Sequence, residues 1–237
     1  TLLIQTSLSP PPAPLTHTTP TYSTCTYNPC GISPDNPARH RCIIANIRAL
    51  TNRYDFVCLQ ELHLDHHSAL SKAFPTHAIH HSLLSSTRAG TAILVSRKVT
   101  RDYRAHRITL HGSLKGHVVA LRFNPRPKPN GAKKAELPPF NVINLRLDAS
   151  SNKTRCEQLK HIAKVTPLTY NTVCGDFNFT EHVDDTAGKP TASAKLSSQW
   201  ADFCNRFGLR EARQDQHTRF QINTDLHTSA TARLDRL

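Results

Sequence analysis

An α/β fold is predicted for this chain by its length and by the arrangement of its apolar residues. The 237 residues are enough for one large domain with a substantial core. Short apolar runs, as expected for buried strands, alternate with segments in which apolar residues recur at helical spacing. This alternation indicates one α/β domain over residues 21–237.

The first 20 residues are predicted to be a disordered linker. They contain a proline-rich stretch, Ser9 to Pro14, followed by a threonine-rich one. Because proline lacks the amide donor and Thr-Pro pairs favour extended chain, this segment suits neither a helix nor the interior of a sheet.

The domain begins with a strand, a helix and a second strand. Residues 23–28, which are rich in Thr and Tyr, are predicted to form the first strand. Asn36 and Pro37 indicate a helix start, because Asn is a good N-cap and Pro is tolerated in the first turn. The helix carries one apolar stripe at i, i+4, i+7 spacing, formed by Ile43, Ile47 and Leu50. The continuous apolar run at 56–59 predicts a strand buried on both faces.

Four more strands and two helices are predicted further along the chain. The strands are apolar runs at residues 91–95, 118–123, 140–147 and 172–174. Helices are expected over 152–165 and around Leu196, Trp200 and Phe203. Residues 124–139 contain Pro, Lys and Asn-Gly and predict a long exposed loop, whose basic side chains either contact phosphates or are simply solvated.

The chain carries a strong excess of positive charge. Thirty Lys and Arg against 17 Asp and Glu give a formal net charge of +13. This excess favours a polyanionic partner, usually nucleic acid, although a basic surface that serves only solubility is an open alternative. No apolar run reaches the roughly 18 residues needed to cross a bilayer, so no membrane partner is expected. The sequence gives no indication of an oligomeric state.

The seven cysteines indicate a reduced intracellular protein, because the count is odd and no C-x-x-C pair occurs. Cys42, Cys58 and Cys174 lie in apolar runs and are expected to be small core residues. Fifteen histidines are present, but their spacing lacks a second pair of ligands and does not favour a zinc site.

Polar residues stand directly after three of the predicted strands. Asn28 ends the first strand, Glu61 follows the second, and Asp176 and Asn178 follow the strand at 172–174. Ligand sites of α/β sheets lie at strand ends, where rigid strands hold diverging loops. Two carboxylates and two amides at three strand ends therefore predict one shared site.

Three segments resemble, in order and spacing, the hallmark motifs of the endonuclease/exonuclease/phosphatase superfamily. They are residues 27–31 (YNPCG), 55–61 (DFVCLQE) and 175–178 (GDFN). Two weaker matches follow the same order: Asn144 to Leu147 with Arg155, Gln158 and Leu159 behind it, and Arg233 to Arg236. The resemblance covers residue 22 to the end. It implies a four-layer α/β sandwich in which two packed mixed β-sheets are flanked by helices.

The resemblance also implies a role for each site residue. Glu61 would be the principal ligand of Mg²⁺ or Mn²⁺, with Asn28 close to that ion, since hard divalent cations prefer carboxylate and amide oxygens. Asp176 would orient or deprotonate the attacking water, and Asn178 would hold a phosphate oxygen. Asp235 resembles the carboxylate that orients a catalytic histidine further along the chain.

Two features depart from the family pattern. The closing Ser-Asp-His motif is not among the 237 residues, so we expect the domain to be truncated before it. Arg146 stands where relatives carry a His or Tyr. A guanidinium can clamp a phosphate through two hydrogen bonds, but it cannot donate a proton at neutral pH. The catalytic contribution expected of Arg146 is therefore electrostatic, and the activity of this chain is open.

We predict a divalent-metal-dependent phosphodiesterase, an endonuclease that nicks DNA as part of a retroelement polyprotein. The missing Met, the Pro/Thr-rich leader and Arg146 favour the apurinic-type endonuclease domain of LINE-like non-LTR retrotransposons, acting in the nucleus. One alternative is a cellular phosphodiesterase or phosphatase of the same fold that acts on RNA, lipid or inositol phosphates. Another is a catalytically decayed nucleic-acid-binding domain.

Overall fold

The computed structural model describes most of the predicted domain. It covers residues 21–32, 35–64, 68–85, 89–127, 137–166, 170–181 and 191–210, and the backbone of 219–223, 228–232 and 235–236. The predicted linker at 1–20 and the middle of the predicted loop, residues 128–136, lie outside the described residues.

The first sheet contains four strands in the order β1-β2-β4-β3. They are β1 (Thr24–Tyr27), β2 (Phe56–Leu59), β3 (Ala78–Ser82) and β4 (Thr91–Val95). β1 and β2 are parallel, whereas β4 is antiparallel to both β2 and β3. Helix α1 (Pro37–Thr51) connects β1 to β2, and the short α2 (Ser68–Ala73) precedes β3. The Asn36 side chain accepts a hydrogen bond from the Arg39 amide, which confirms the predicted N-cap.

The second sheet has five strands in the order β11-β8-β7-β6-β5. They are β5 (Tyr103–Arg107), β6 (Val118–Pro125), β7 (Phe140–Arg146), β8 (Tyr170–Asp176) and β11 (Asp235–Arg236). β7 and β8 are parallel, and the other neighbours are antiparallel. The associated helices are α3 (Arg97–Asp102), α4 (Asn152–Val165) and α5 (Ala194–Phe207). β9 (Arg219–Asn223) and β10 (Thr228–Ala232) form a separate antiparallel pair.

Three apolar clusters hold these elements in four layers. The stripe of α1, including Ile43 and Ile47, packs on the first sheet, and α4 and α5 pack on the second. Between the sheets lies a cluster in which Phe56 contacts Phe123, with ring centroids 5.3 Å apart. These layers confirm the four-layer sandwich of two packed mixed sheets. None of the described helices is both long and apolar enough to cross a membrane.

The structure differs from the sequence-based expectations in a few elements. β3 and β5 were not expected, because their side chains are mostly half-buried or exposed and show no apolar run. β8 extends beyond the predicted 172–174 on both sides. The prediction that Cys42 is a core residue is wrong: it is exposed on α1, because it lies outside the stripe that faces the sheet. Cys58 and Cys174 are buried as expected.

Gly175 sits in β8 directly before Asp176 and in a conformation that excludes a side chain. Its φ is +137°, and a Cβ built there would lie 1.8 Å from the carbonyl oxygen of Leu145 on the neighbouring β7. Because the collision is with backbone, only separation of the two central strands could relieve it. The glycine therefore allows β7 and β8 to approach closely beside the predicted site residues.

Replacing Gly175 with Ala is expected to lower the free energy of unfolding by about 3 kcal/mol or more, through this clash and the positive φ. Urea unfolding followed by circular dichroism measures it. Gly112→Ala is the matched control, because no heavy atom lies within 4 Å of a Cβ there. Equal stabilities for the two variants would contradict the close approach of β7 and β8.

Candidate active site

Four of the predicted site residues meet at one edge of the sandwich, where the two sheets face each other. Asn28 directly follows β1 and Asp176 is the last residue of β8; the Asn28 Nδ2 donates to Asp176 Oδ2 at 3.2 Å. Glu61 follows β2 and Arg146 ends β7; the Arg146 Nε donates to Glu61 Oε1 at 2.8 Å. Each contact joins the first sheet to the second, so the site exists only where the sheets pack together.

Asn178 shapes the turn that follows β8. Its backbone N–H donates to Asp176 Oδ1 at 3.0 Å, and its Nδ2 donates to the carbonyl of Leu147 at 2.9 Å. Its φ of +54° is uncommon for a non-glycine residue. The amide of Asn178 thus ties the Asp176 turn to the end of β7, while its role at a phosphate stays a prediction.

Asp235 lies beside the site at the level of the backbone. In β11 it is the antiparallel partner of Asp176, and Arg236 is the partner of Gly175. The near-terminal element of the resemblance is therefore brought to the end of β8 by sheet pairing. The side chain of Asp235 lies outside the described residues.

The backbone around Glu61 is strained and held on two sides. Glu61 has a φ of +48°. Its carbonyl accepts a hydrogen bond from Gly31 N–H at 2.7 Å, and the next residue, Leu62, donates to the carbonyl of Gly90 at 3.0 Å. Strained residues persist only where their surroundings over-determine them, and they cluster at functional sites. This fixation is consistent with a carboxylate that must keep one position.

Asp176 has a perturbed acidity. Burial, the main cause, raises the pKa of Asp176 to about 6; the nearby Arg146 opposes the shift and Glu61 adds to it. Hydrogen bonds from the Asn178 amide and the Asn28 side chain also lower it. Buried carboxyl groups whose pKa is shifted by charged neighbours are concentrated at functional sites.

A buried amide network lies directly beneath the site and joins the sheets. The Gln60 Nε2, next to Glu61, donates to Asn144 Oδ1 at 2.6 Å and to Thr26 Oγ1 at 2.9 Å. The Nδ2 of Asn144 donates to the carbonyls of Leu59 and Ala92, both at 2.8 Å. All three polar side chains are buried. The sequence-based prediction gave no role to Gln60 or Asn144. An amide residue within or directly after an apolar strand run is the signal that could have indicated a buried hydrogen-bond network.

A second set of polar contacts supports the loop after β7. The Nε of Arg155 donates to the carbonyl of Asp148 at 2.6 Å, and Gln158 Oε1 accepts from the Asp148 N–H at 2.9 Å. His117 lies on the other side, with Nδ1 3.2 Å from the carbonyl oxygen of Arg146. The weaker sequence match around Arg155 and Gln158 therefore corresponds to residues that hold the end of β7 in place.

Asp55 opens the motif that ends in Glu61 but lies at the other end of β2. Its carboxylate accepts hydrogen bonds from Ser23, from Ser96 Oγ and from the Lys98 ammonium at 3.1 Å. It therefore joins the starts of β1, β2 and α3, and its contribution is structural.

The donor set suits a hard divalent cation. Glu61 and Asp176 supply carboxylate oxygens and Asn28 an amide oxygen, and Glu61 Oε2 accepts no hydrogen bond from any residue that the structure describes. No group of three or more His, Cys, Asp or Glu placed to hold a metal occurs among the described residues. Mg²⁺ often binds through one or two carboxylates and keeps several waters, so a set of this size is sufficient.

The fold is a four-layer α/β sandwich of two packed mixed sheets, with a group of polar side chains at one edge. The chain belongs to the endonuclease/exonuclease/phosphatase family, whose model matches residues 25–236. Proteins of this fold generally hydrolyse phosphodiester bonds. A search among curated proteins finds no match.

Solved structures share the fold at low sequence identity. The endonuclease domain of TRAS1, a telomere-specific non-LTR retrotransposon, is 13% identical with a TM-score of 0.58, over 90% of this chain and 82% of that one. The AP endonuclease LMAP from Leishmania major is 14% identical with a TM-score of 0.55, over 78% and 66%. A humanized D. rerio TDP2 is 16% identical with a TM-score of 0.53, over 90% and 80%.

If the amide network holds the sheets together, Asn144→Leu should lower the free energy of unfolding by about 3 kcal/mol, because it removes the three buried hydrogen bonds that the Asn144 side chain makes with Gln60, Leu59 and Ala92. Chemical unfolding provides the measurement. Asn46→Leu makes the same change at an exposed position of α1 and should shift stability by less than about 0.5 kcal/mol. A fully stable Asn144→Leu variant would show that the network is dispensable.

Proposed function

We propose that this protein is a divalent-metal-dependent endonuclease that nicks DNA. The observation that carries the proposal is the cross-sheet meeting of Asn28 with Asp176 and of Glu61 with Arg146 at one edge of the sandwich. Two carboxylates, an amide and a guanidinium, joined in two hydrogen-bonded pairs, form a group suited to a metal and a phosphate.

Glu61 would hold Mg²⁺ or Mn²⁺ through the oxygen that the described residues leave unpaired, and Asn28 would lie close to the ion. When bound, such an ion supplies positive charge that stabilises the negative charge developing on a reacting phosphate. Asp176 would orient the attacking water or accept a proton from it. Asn178, whose backbone N–H donates to Asp176, would contact a phosphate oxygen.

Arg146 would contribute as an electrostatic clamp. Among the described residues, the Arg146 side chain donates only from its Nε, to Glu61. Its terminal N–H groups are therefore left for a phosphate oxygen. The same ion pair neutralises the carboxylate that would bind the metal. A cation at the other oxygen of Glu61 would therefore meet a carboxylate whose negative charge Arg146 already offsets.

DNA as substrate is favoured by the net charge of +13 and by the similar structures. These include an endonuclease domain of a non-LTR retrotransposon and an AP endonuclease. Together with the Pro/Thr-rich leader, they support an endonuclease region of a retroelement polyprotein that acts in the nucleus.

The Arg146–Glu61 pair favours one second candidate, a nucleic-acid-binding domain that no longer cleaves. An arginine held 2.8 Å from the metal ligand reduces the attraction of that site for a cation. Cleavage assays separate this candidate from an active nuclease. A cellular phosphodiesterase of the same fold would instead turn over small phosphoesters.

We expect the protein to nick supercoiled plasmid in Mg²⁺ or Mn²⁺ and to cleave nothing in EDTA. It should turn over small phosphoesters only slightly. Glu61→Gln and Asp176→Asn should each slow nicking by about a hundredfold or more, because each removes a charged oxygen that the reaction uses. Glu157→Gln, a similar change at an exposed position of α4, is the matched control and should nick like the wild type.

Two results would contradict the proposal. Absence of nicking by the folded wild-type chain would favour the binding domain. Nicking that survives both substitutions would show that another site, or a contaminating nuclease, cleaves the plasmid.

A further inference from the structure

A basic groove lies between the end of β3 and the turn that connects β5 to β6. It has a volume of about 610 Å³. One wall contains His81 and Ser82, and the other runs from Arg107 to Val118 and includes the 3₁₀ turn Gly112–Leu114. None of the sequence-predicted site residues lines it.

The side chains that line the groove give it one sign of charge. Arg107, Lys115 and His111 are exposed at its rim, and no lining residue carries a carboxylate. Neither Arg107 nor Lys115 belongs to any of the ion pairs found among the described residues. His111 is held at the rim by stacking on His161, with ring centroids 4.4 Å apart. The groove therefore presents positive charge that is available to an anionic ligand.

Direct contacts connect the groove to the candidate active site. The Oγ of Ser82 accepts a hydrogen bond from Gly116 at 2.9 Å, and the Gly116 carbonyl accepts from Gly90. Gly90 in turn accepts from Leu62, the residue after Glu61. On the opposite wall, Val118 pairs with Leu145, which precedes Arg146. The groove and the active site are thus built on the same short segments.

We propose that this groove binds the phosphate backbone of a nucleic acid strand outside the scissile bond. Arg107 and Lys115 would each contact a phosphate, and the apolar floor formed by Leu83, Leu110 and Leu114 would lie against the sugars. Small-molecule pockets usually include aromatic side chains among their apolar lining, whereas this groove has a basic rim and no Phe, Tyr or Trp. The inference rests on the proposed function for its substrate class.

The test is duplex binding without cleavage. Fluorescence anisotropy with a short labelled DNA duplex in EDTA, between about 50 and 200 mM salt, compares the wild type with the double variant Arg107→Ala, Lys115→Ala. Binding should weaken about tenfold, and the slope of log affinity against log salt should become shallower by about 1 to 2, because two phosphate contacts are lost.

A matched control removes the same charge elsewhere. Arg48 and Arg53 are exposed near the end of α1, at the start of β2 and so away from Glu61. Arg48→Ala, Arg53→Ala should bind like the wild type. Melting curves establish that each variant is folded, and both replaced pairs lie on the surface.

The outcomes separate the groove from the nuclease proposal. Equal weakening in the two double variants, no weakening in either, or a wild type that binds no duplex would overturn the groove. Selective weakening by the groove variant supports it even if plasmid nicking is absent, in which case only the nuclease proposal fails. If the wild type nicks plasmid but its duplex affinity does not depend on Arg107 and Lys115, the groove proposal fails and the nuclease proposal stands.

Discussion

The hydrogen bond between Gln60 and Asn144 is the contact on which the geometry of the site depends. At the starts of β2 and β7 the sheets are joined by aromatic packing, as between Phe56 and Phe140. At the ends of the same strands they are joined by buried amides 2.6 Å apart. Apolar packing is non-directional, whereas an amide network with fixed partners specifies register. The directional contact lies where Glu61 and Arg146 must face each other across the sheets.

The pairs above this network give the site its electrostatic character. Asn28 meets Asp176 and Arg146 meets Glu61, so each sheet supplies one carboxylate and one group that donates to the other sheet's carboxylate. Burial disfavours the charge of Asp176, while Arg146 favours it. The guanidinium thus acts on both carboxylates. If a cation and a phosphate both bind, Glu61 would contact the cation and Arg146 would contact the phosphate.

Much of the fold, and the convergence of four candidate site residues at one edge, could be predicted from sequence, because buried strands and the polar residues at their ends leave a local pattern. The stripe of α1 and the run at β2 are examples. What could not be predicted depends on contacts between distant segments. The partner of Arg146 lies 85 residues away, and the close approach at Gly175 involves β7. β3 was not predicted because a half-buried edge strand needs no apolar run. Cys42 was wrongly predicted to be buried because residues that are neighbours in an apolar run occupy different faces of a helix.

Under the proposed function, Glu61 would form a divalent-cation site whose affinity is limited by Arg146. Calorimetric titration of Mn²⁺ into the wild type, Glu61→Gln and Arg146→Met, without nucleic acid, tests it most directly. We expect binding to be lost in Glu61→Gln and to become about tenfold tighter in Arg146→Met, since a nearby positive charge is removed. Equal affinities in all three proteins would contradict it, because the cation would then bind elsewhere.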